Sequence, residues 1–242
     1  GNVAPALIDS FDKFPCPVLR FPGGCETCTY HWEHGIGPVH QRPVCDDPVF
    51  KYKTYYDFGT DEYLELCAAK NIRPLITLNS TTATPEDGAA WAPYLRAWYV
   101  ARKLKVPAAY FLVGNENYGS WELGHMTGEM YVSQLQAFVP GIRKAYPEAR
   151  IMAIGEWDSY GQREEYKTPW RATVMEKAAD LFDILAGTRY AGSGDNLPLD
   201  KSMESVANAV ADKEADLRKQ ADTIRTAKLD KRMAIVEWNY WT

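Results

Sequence analysis

What this sequence lacks narrows the field first. It contains no stretch of about 18 consecutive apolar residues, so no segment reads as a membrane-spanning helix. Basic residues are not in excess: 27 Lys and Arg stand against 32 Asp and Glu, a formal net charge of -5. That balance argues against duplex nucleic acid or an anionic membrane surface as a partner. No Gly-x-Gly-x-x-Gly follows the first strand-like segment, and the "RFPGG" turn that does follow it is not shaped for phosphate. Histidine is scarce, with 4 residues, and in "HWEH" (His31 to His34) the two are not at the spacing of a zinc-protease motif. The amino-terminal "GNVAPALIDSFDKFPCPVLRF" has neither a basic region nor a long apolar core and does not read as an intact signal peptide. The compartment, cytoplasmic or secreted, stays open.

Cysteine is sparse and odd in number, at 5, which leaves at least one thiol unpaired within the chain. Cys25 and Cys28 form a Cys-x-x-Cys pair, but no second such pair and no well-spaced histidines accompany it. No metal site and no cofactor is therefore expected. A disulfide joining Cys45 to Cys25 or Cys28 is the favoured expectation, with plain thiols as the alternative.

The residues that are present suit one large domain of 242 residues with a substantial core, since 46% are hydrophobic. Near-continuous apolar runs predict strands at 16–21, 73–79, 108–115, 150–156, 182–188 and 232–239, as expected where both strand faces are covered. Between them, helical periodicity predicts helices near 60–70, 86–104, 127–145, 170–180 and 202–228. Thr84 is a natural cap for the second, with Pro85 at its first position. The last is long, charged and amphipathic, a surface helix. Repeated strand-then-helix units imply parallel strands with right-handed crossovers. The expected fold is α/β, a (β/α)8 TIM barrel that is incomplete, because a closed barrel needs about eight strands.

In such a barrel chemistry gathers at the carboxyl ends of the strands. Those ends carry Arg20, Asn79, Asn115 with Glu116, Glu156, Thr188 with Arg189 and Tyr190, and Glu237. Single polar residues there commonly cap helices. Two glutamates flanked by Asn or Trp at the ends of separate apolar strands, Glu116 and Glu237, point instead to catalysis. Glu156 is open to a second reading, pairing with Arg189 or Arg20. Paired carboxylates with aromatic neighbours are what glycoside cleavage requires, and aromatics make up 13% of the chain. Asn79-Ser80-Thr81 fits a glycosylation acceptor but lies at a strand end, so it is read as incidental.

The words "VLRFPGG", "YHWEHGIGPVHQRP", "FGTDEYLELC", "TPEDGAAW", "GNENYGSWELGHMTGEMY" and "VEWNYW", in this order, resemble the family 51 glycoside hydrolases, chiefly alpha-L-arabinofuranosidases. The resemblance implies a retaining hydrolase acting on terminal arabinofuranosyl units of plant-type polysaccharides such as arabinan or arabinoxylan. Glu116 would be its acid/base and Glu237 its nucleophile. Arg20 would brace the nucleophile, Asn115 would bind the sugar 2-hydroxyl, Tyr190 would be an active-site tyrosine after strand six, and Trp32 and Trp121 would help wall the pocket. Cys25 stands where the family usually places a substrate-binding Asn, and Thr188 where it usually has His. Those departures keep a barrel glycosidase of other specificity, an endo-beta-glucanase or xylanase, as an alternative, beside a non-catalytic carbohydrate-binding relative. The resemblance covers the family's strands two to seven and not strands one and eight. The expectation is a catalytic barrel domain spanning 1–242 that is a segment of a longer chain, or one completed by a homo-oligomeric or additional chain.

Overall fold

The computed structural model describes residues 5–48, 51–155, 169–191 and 199–240. After a short helix α1 (Pro5–Lys13), the first apolar run forms strand β1 (Val18–Phe21). Three single-turn 3-10 helices follow at Cys25–Thr29, Trp32–Gly35 and Val39–Gln41, and then a small hairpin of β2 (Val44–Asp46) and β3 (Lys53–Tyr55). From there helix and strand alternate: α2 (Thr60–Ala69), β4 (Arg73–Leu78), α3 (Pro85–Ala101), β5 (Tyr110–Val113), α4 (Gly128–Ala145), β6 (Arg150–Ile154), α5 (Trp170–Lys177), β7 (Ile184–Ala191), α6 (Leu199–Thr226) and β8 (Arg232–Tyr240).

Every apolar run read as a strand from the sequence is one, and they pair in the order β1-β4-β5-β6-β7-β8, all parallel. Among the described residues β1 and β8 do not pair with each other, so the array is an incomplete barrel with two edges. The five predicted helices lie within a few residues of their expected bounds. Helix α3 starts as its sequence dictates: Thr84 Oγ1 accepts from the Asp87 N–H at 3.2 Å while Asp87 Oδ2 accepts from the Thr84 N–H at 3.0 Å, with Pro85 at the first position. The hairpin and the 3-10 turns are additions that the periodicity did not predict.

Buried tyrosines fasten the strands where the sheet curves. Tyr63 donates to the Leu19 carbonyl at 2.7 Å and accepts from the Leu75 N–H at 2.9 Å, tying β1 to β4. Tyr131 donates to the Val113 carbonyl at 2.8 Å and accepts from the Ile154 N–H at 2.9 Å, tying β5 to β6. Both rings are fully buried, so each hydroxyl must find partners, and these partners fix where the strands end. Trp170 backs the second tie, its ring tilted against Tyr131 at 4.9 Å and its N–H donating to the Ile154 carbonyl at 3.0 Å.

Candidate active site

The chain leaves β5 through a sharp turn. Gly114 has φ +74°, and an added Cβ would collide with Asn117 Oδ1. Glu116 has φ +40°, a left-handed conformation that is uncommon outside glycine and clusters at functional sites. The loop holds it there: the Gly119 N–H donates to the Glu116 carbonyl at 2.6 Å, the Met126 N–H to the Asn117 carbonyl at 2.9 Å, and Asn117 Nδ2 to the Gly124 carbonyl at 2.8 Å. The Glu116 carboxyl accepts from Tyr118 Oη at 2.9 Å, from Thr188 Oγ1 by a short bond, and from Trp121 Nε1 at 3.0 Å. Tyr118 and Thr188 also touch each other, hydroxyl to hydroxyl, at 3.2 Å.

Glu237 lies on β8 in register with Thr188 on β7, beside an irregularity between Gly187 and Thr188. Arg20 Nη1 donates to Glu237 Oε2 at 2.8 Å, and Tyr190 donates to Oε1. The "PGG" turn after β1 passes close to this carboxylate, since a Cβ on Gly24 would stand 3.0 Å from Glu237 Oε2. Arg20 joins four strand ends at once: besides Glu237 it reaches Thr77 Oγ1 from Nε at 2.9 Å and Asn115 Oδ1 from Nη2 at 2.6 Å. Asn115 in turn donates to Glu122 Oε1 at 2.7 Å.

Charge is concentrated here. Burial, followed by the bond to Glu237 and the charges of Glu237 and Glu116, pushes the Tyr190 hydroxyl up, so it stays a donor. Burial and then Glu122, Glu116 and Glu237 push the Cys25 thiol up as well. Cys28 rises to about 12, through burial first and the charge of Glu122 second. Burial raises the Glu122 carboxyl too, opposed by its bonds to Cys25, Cys28 and Asn115.

Arg20, Cys25, Asn115, Glu116, Trp121, Tyr190 and Glu237 thus fall into one connected cluster. Trp32 is placed on the α3 side: its N–H donates to the Asp87 carbonyl at 3.0 Å and its ring stacks on Trp91 at 6.0 Å. Glu156 lies outside the described residues, and with it the pairing expected with Arg189 or Arg20. The expected disulfide is corrected: all five cysteines are free thiols. Cys45 Sγ is 3.4 Å from His34 Nδ1, whereas Cys28 turns inward and donates to Glu122 Oε2 at 3.2 Å. Asn79 is buried, its Nδ2 donating to the Tyr30 carbonyl and Thr82 Oγ1 at 3.1 and 2.8 Å, which leaves no exposed amide nitrogen for a glycan.

Sequence reasoning missed Tyr118, Glu122, Thr77 and Cys28. Tyr118 and Glu122 lie within "GNENYGSWELGH", close enough to Glu116 for the turn chemistry to have nominated them. Nothing local marks Thr77, which reaches Arg20 only through the pairing of β1 with β4.

Comparison with known proteins agrees with this geometry. Residues 10–97 match the family model described as the alpha-L-arabinofuranosidase 1 domain. The chain is 25% identical over 257 residues to the alpha-L-arabinofuranosidase C of Emericella nidulans, covering 97% of this chain and 50% of that protein. It is 25% identical over 248 residues to the intracellular exo-alpha-(1->5)-L-arabinofuranosidase of Acetivibrio thermocellus, covering 97% and 48%. Among solved structures, the alpha-L-arabinofuranosidase of Thermotoga maritima in its arabinose complex superposes with a TM-score of 0.77 at 28% identity, over 98% of this chain and 48% of that one. CelM2, a bifunctional glucanase-xylanase, shares the fold alone, with a TM-score of 0.66 at 12% identity. The chain spans about half the length of the curated relatives it matches. A parallel half-barrel and an arabinofuranosidase signature through its first third together make the chain similar to the family 51 glycoside hydrolases.

Proposed function

We propose that this site cleaves terminal alpha-L-arabinofuranosyl residues by double displacement, with Glu237 as nucleophile and Glu116 as acid/base. The observation that carries the reading is the different company of the two carboxylates. Arg20 can only donate hydrogen bonds, so it supports the carboxylate form of Glu237, the form that attacks. Among the described residues Glu116 is held by neutral groups, and two of them are hydroxyls. A hydroxyl donates to a carboxylate and accepts from a carboxylic acid, so the same partners hold Glu116 with or without its proton.

In this reading Glu237 forms a bond to the anomeric carbon as the glycosidic bond breaks, and the proton of Glu116 passes to the departing oxygen. Glu116 then takes a proton from water, whose oxygen attacks the same carbon and releases Glu237, with net retention. Tyr190 and Arg20 steady the nucleophile. Asn115 keeps a lone pair and an N–H beyond those used by Arg20 and Glu122, enough to meet a sugar hydroxyl. Cys25 and Thr188, in place of the Asn and His the family usually carries, favour a second reading in which the preferred sugar is a glucan or xylan unit. The barrel would be closed by strands supplied from the rest of a longer protein or by another chain, between β1 and β8.

The test is turnover of an aryl alpha-L-arabinofuranoside, with the first-formed anomer read by NMR. Retention, with loss of turnover in Glu237→Gln and Glu116→Gln, supports the proposal. Turnover unchanged in both variants would refute the roles, and hydrolysis confined to aryl glucosides or xylosides would select the second reading.

A further inference from the structure

The Cys-x-x-Cys pair takes no chemical step in the proposed hydrolysis, yet the structure turns it toward two carboxylates from another loop. Cys25 and Cys28 both lie in the 3-10 turn after β1. Glu116 and Glu122 bracket the loop after β5. Ligand atoms of Cys25, Glu116 and Glu122 all lie within 4.8 Å of one another; Cys28 lies outside that group but has its Sγ 3.2 Å from Glu122 Oε2. Four-coordinate zinc, with bonds of roughly 2.0–2.3 Å, holds its ligand atoms about 3.3–3.8 Å apart. The Cys28–Glu122 pair already stands close to that spacing, Cys25, Glu116 and Glu122 need a closure of about an ångström, and Cys28 must swing further to join them as the fourth ligand. Zinc sites are usually sought in sequence as repeated Cys-x-x-Cys or Cys–His spacings. Here the second pair of ligands is two carboxylates supplied by the fold, which no spacing rule shows.

We propose that Cys25, Cys28, Glu122 and Glu116 form a site for one thiophilic divalent cation of the zinc class. The donor set selects the ion: two sulfurs suit zinc, cadmium or cobalt, whereas magnesium and calcium take oxygen shells of six or more. Each thiol yields its proton to solvent as it ligates. The site is built rather than superficial, since Cys28, Glu116 and Glu122 are all buried. Asn115 steadies the Glu122 carboxyl from behind, the kind of supporting bond that metal ligands need. Resting on the hydrolase reading above, one consequence follows: a cation that takes Glu116 removes the acid/base, so metal binding and turnover exclude each other.

The experiment is a Co2+ titration of chelator-treated protein, following sulfur-to-cobalt charge-transfer absorption. The expected result is a band that saturates at one equivalent, is displaced by Zn2+ and is unaffected by excess Mg2+. Cys25→Ser, Cys28→Ser and Glu122→Gln are each expected to weaken Co2+ binding at least tenfold, since loss of a mere supporting group costs about 10–100-fold. Cys45→Ser, outside the cluster, is expected to bind as the wild type does. Thermal melts establish that each variant is folded, and the near-isosteric Glu122→Gln keeps the test decisive should a cysteine variant unfold. Absence of the band in the wild type, its survival in a folded Cys25→Ser/Cys28→Ser double variant, or its loss in Cys45→Ser would overturn the proposal. The titration is read without substrate, so it is independent of whether arabinofuranosides are hydrolysed.

Discussion

Glu116 and Glu237 occupy equivalent places in the fold, each at or near the carboxyl end of a parallel strand, but their surroundings differ in kind. Glu237 lies within a strand, just past a register irregularity, and meets a guanidinium as well as the Tyr190 hydroxyl, with a quarter of its side chain exposed at 25%. Glu116 stands past the end of its strand on a left-handed residue, 9% exposed, with an indole N–H and two hydroxyls around it. The contrast teaches that position in a barrel nominates a residue, while its hydrogen-bond partners assign it a role. A cation favours a group that acts as an anion, and ambivalent hydroxyls favour one that changes its protonation within each cycle.

The largest effect on turnover is expected from Glu237→Gln, roughly 10⁴-fold or more, as for loss of the nucleophile in other hydrolases. The loss should be the same for good and poor leaving groups, because no covalent intermediate forms with either. Glu116→Gln is expected to cost about 10²–10⁴-fold on poor leaving groups. Its first step should be nearly intact on nitrophenyl substrates, whose leaving group needs no proton, so a burst of nitrophenol should precede slow turnover. Equal losses on both substrate types, without a burst, would erase the distinction between the two glutamates.

Arg20→Met tests whether the guanidinium belongs with Glu237. A loss of about 10²-fold in kcat/KM, the scale of a small misplacement of a reacting group, is expected for good and poor leaving groups alike. A loss confined to poor leaving groups would place Arg20 with Glu116 instead. Thr188→Val removes one of the donors to Glu116 and is expected to cost roughly 2–12-fold, the worth of a single hydrogen bond. That smaller loss should fall mainly on poor leaving groups. Both are read from steady-state kinetics on a series of substituted aryl glycosides.

How much of this was legible in the sequence depended on the range of the interaction. The six parallel strands announced themselves because near-continuous apolar runs such as "RPLITLN" fit strands covered on both faces. The hairpin of β2 and β3 did not, since "VCD" and "KTY" are three-residue segments that alternate between exposed and half-buried positions. Glu116 and Glu237 were legible as polar interruptions at strand ends. Their partners were not, because Thr188 reaches Glu116, and Thr77 reaches Arg20, only through register between strands far apart in sequence. Cysteine spacing misled for the same reason. Cys28 meets Glu122 rather than Cys45 because the fold brings the loop after β5 against the turn after β1.

A second arginine-carboxylate pair supplies the control for the comparison, and the least effect on turnover. Arg42 grips both oxygens of Glu62, at 2.9 and 3.1 Å, and the Gly59 N–H adds a bond at 2.9 Å. Both side chains are nearly sealed, at 3% and 5% exposure. Where Glu237 is partly open to the pocket, Glu62 is closed on all sides, which marks it as structural. Burial alone would push the Glu62 carboxyl up, but the bonds from Arg42 and Gly59 outweigh it and hold the group at about 2 against an ordinary 4.5. A carboxyl held lower in the folded state contributes stability that is complete above its unfolded value and is lost as the pH falls from 4.5 toward about 2. Glu62→Gln should leave turnover unchanged and cost roughly 3–5 kcal/mol of stability at neutral pH, the scale for breaking a buried pair. Because the variant has no such group to protonate, its melting temperature should fall less steeply with acid than that of the wild type. The two curves should therefore converge across that window. A gap that stays constant in thermal melts from neutral pH down to about 2 would show that Arg42 does not hold Glu62 as an ion, and the contrast between a sealed structural pair and an open catalytic one would lose its control.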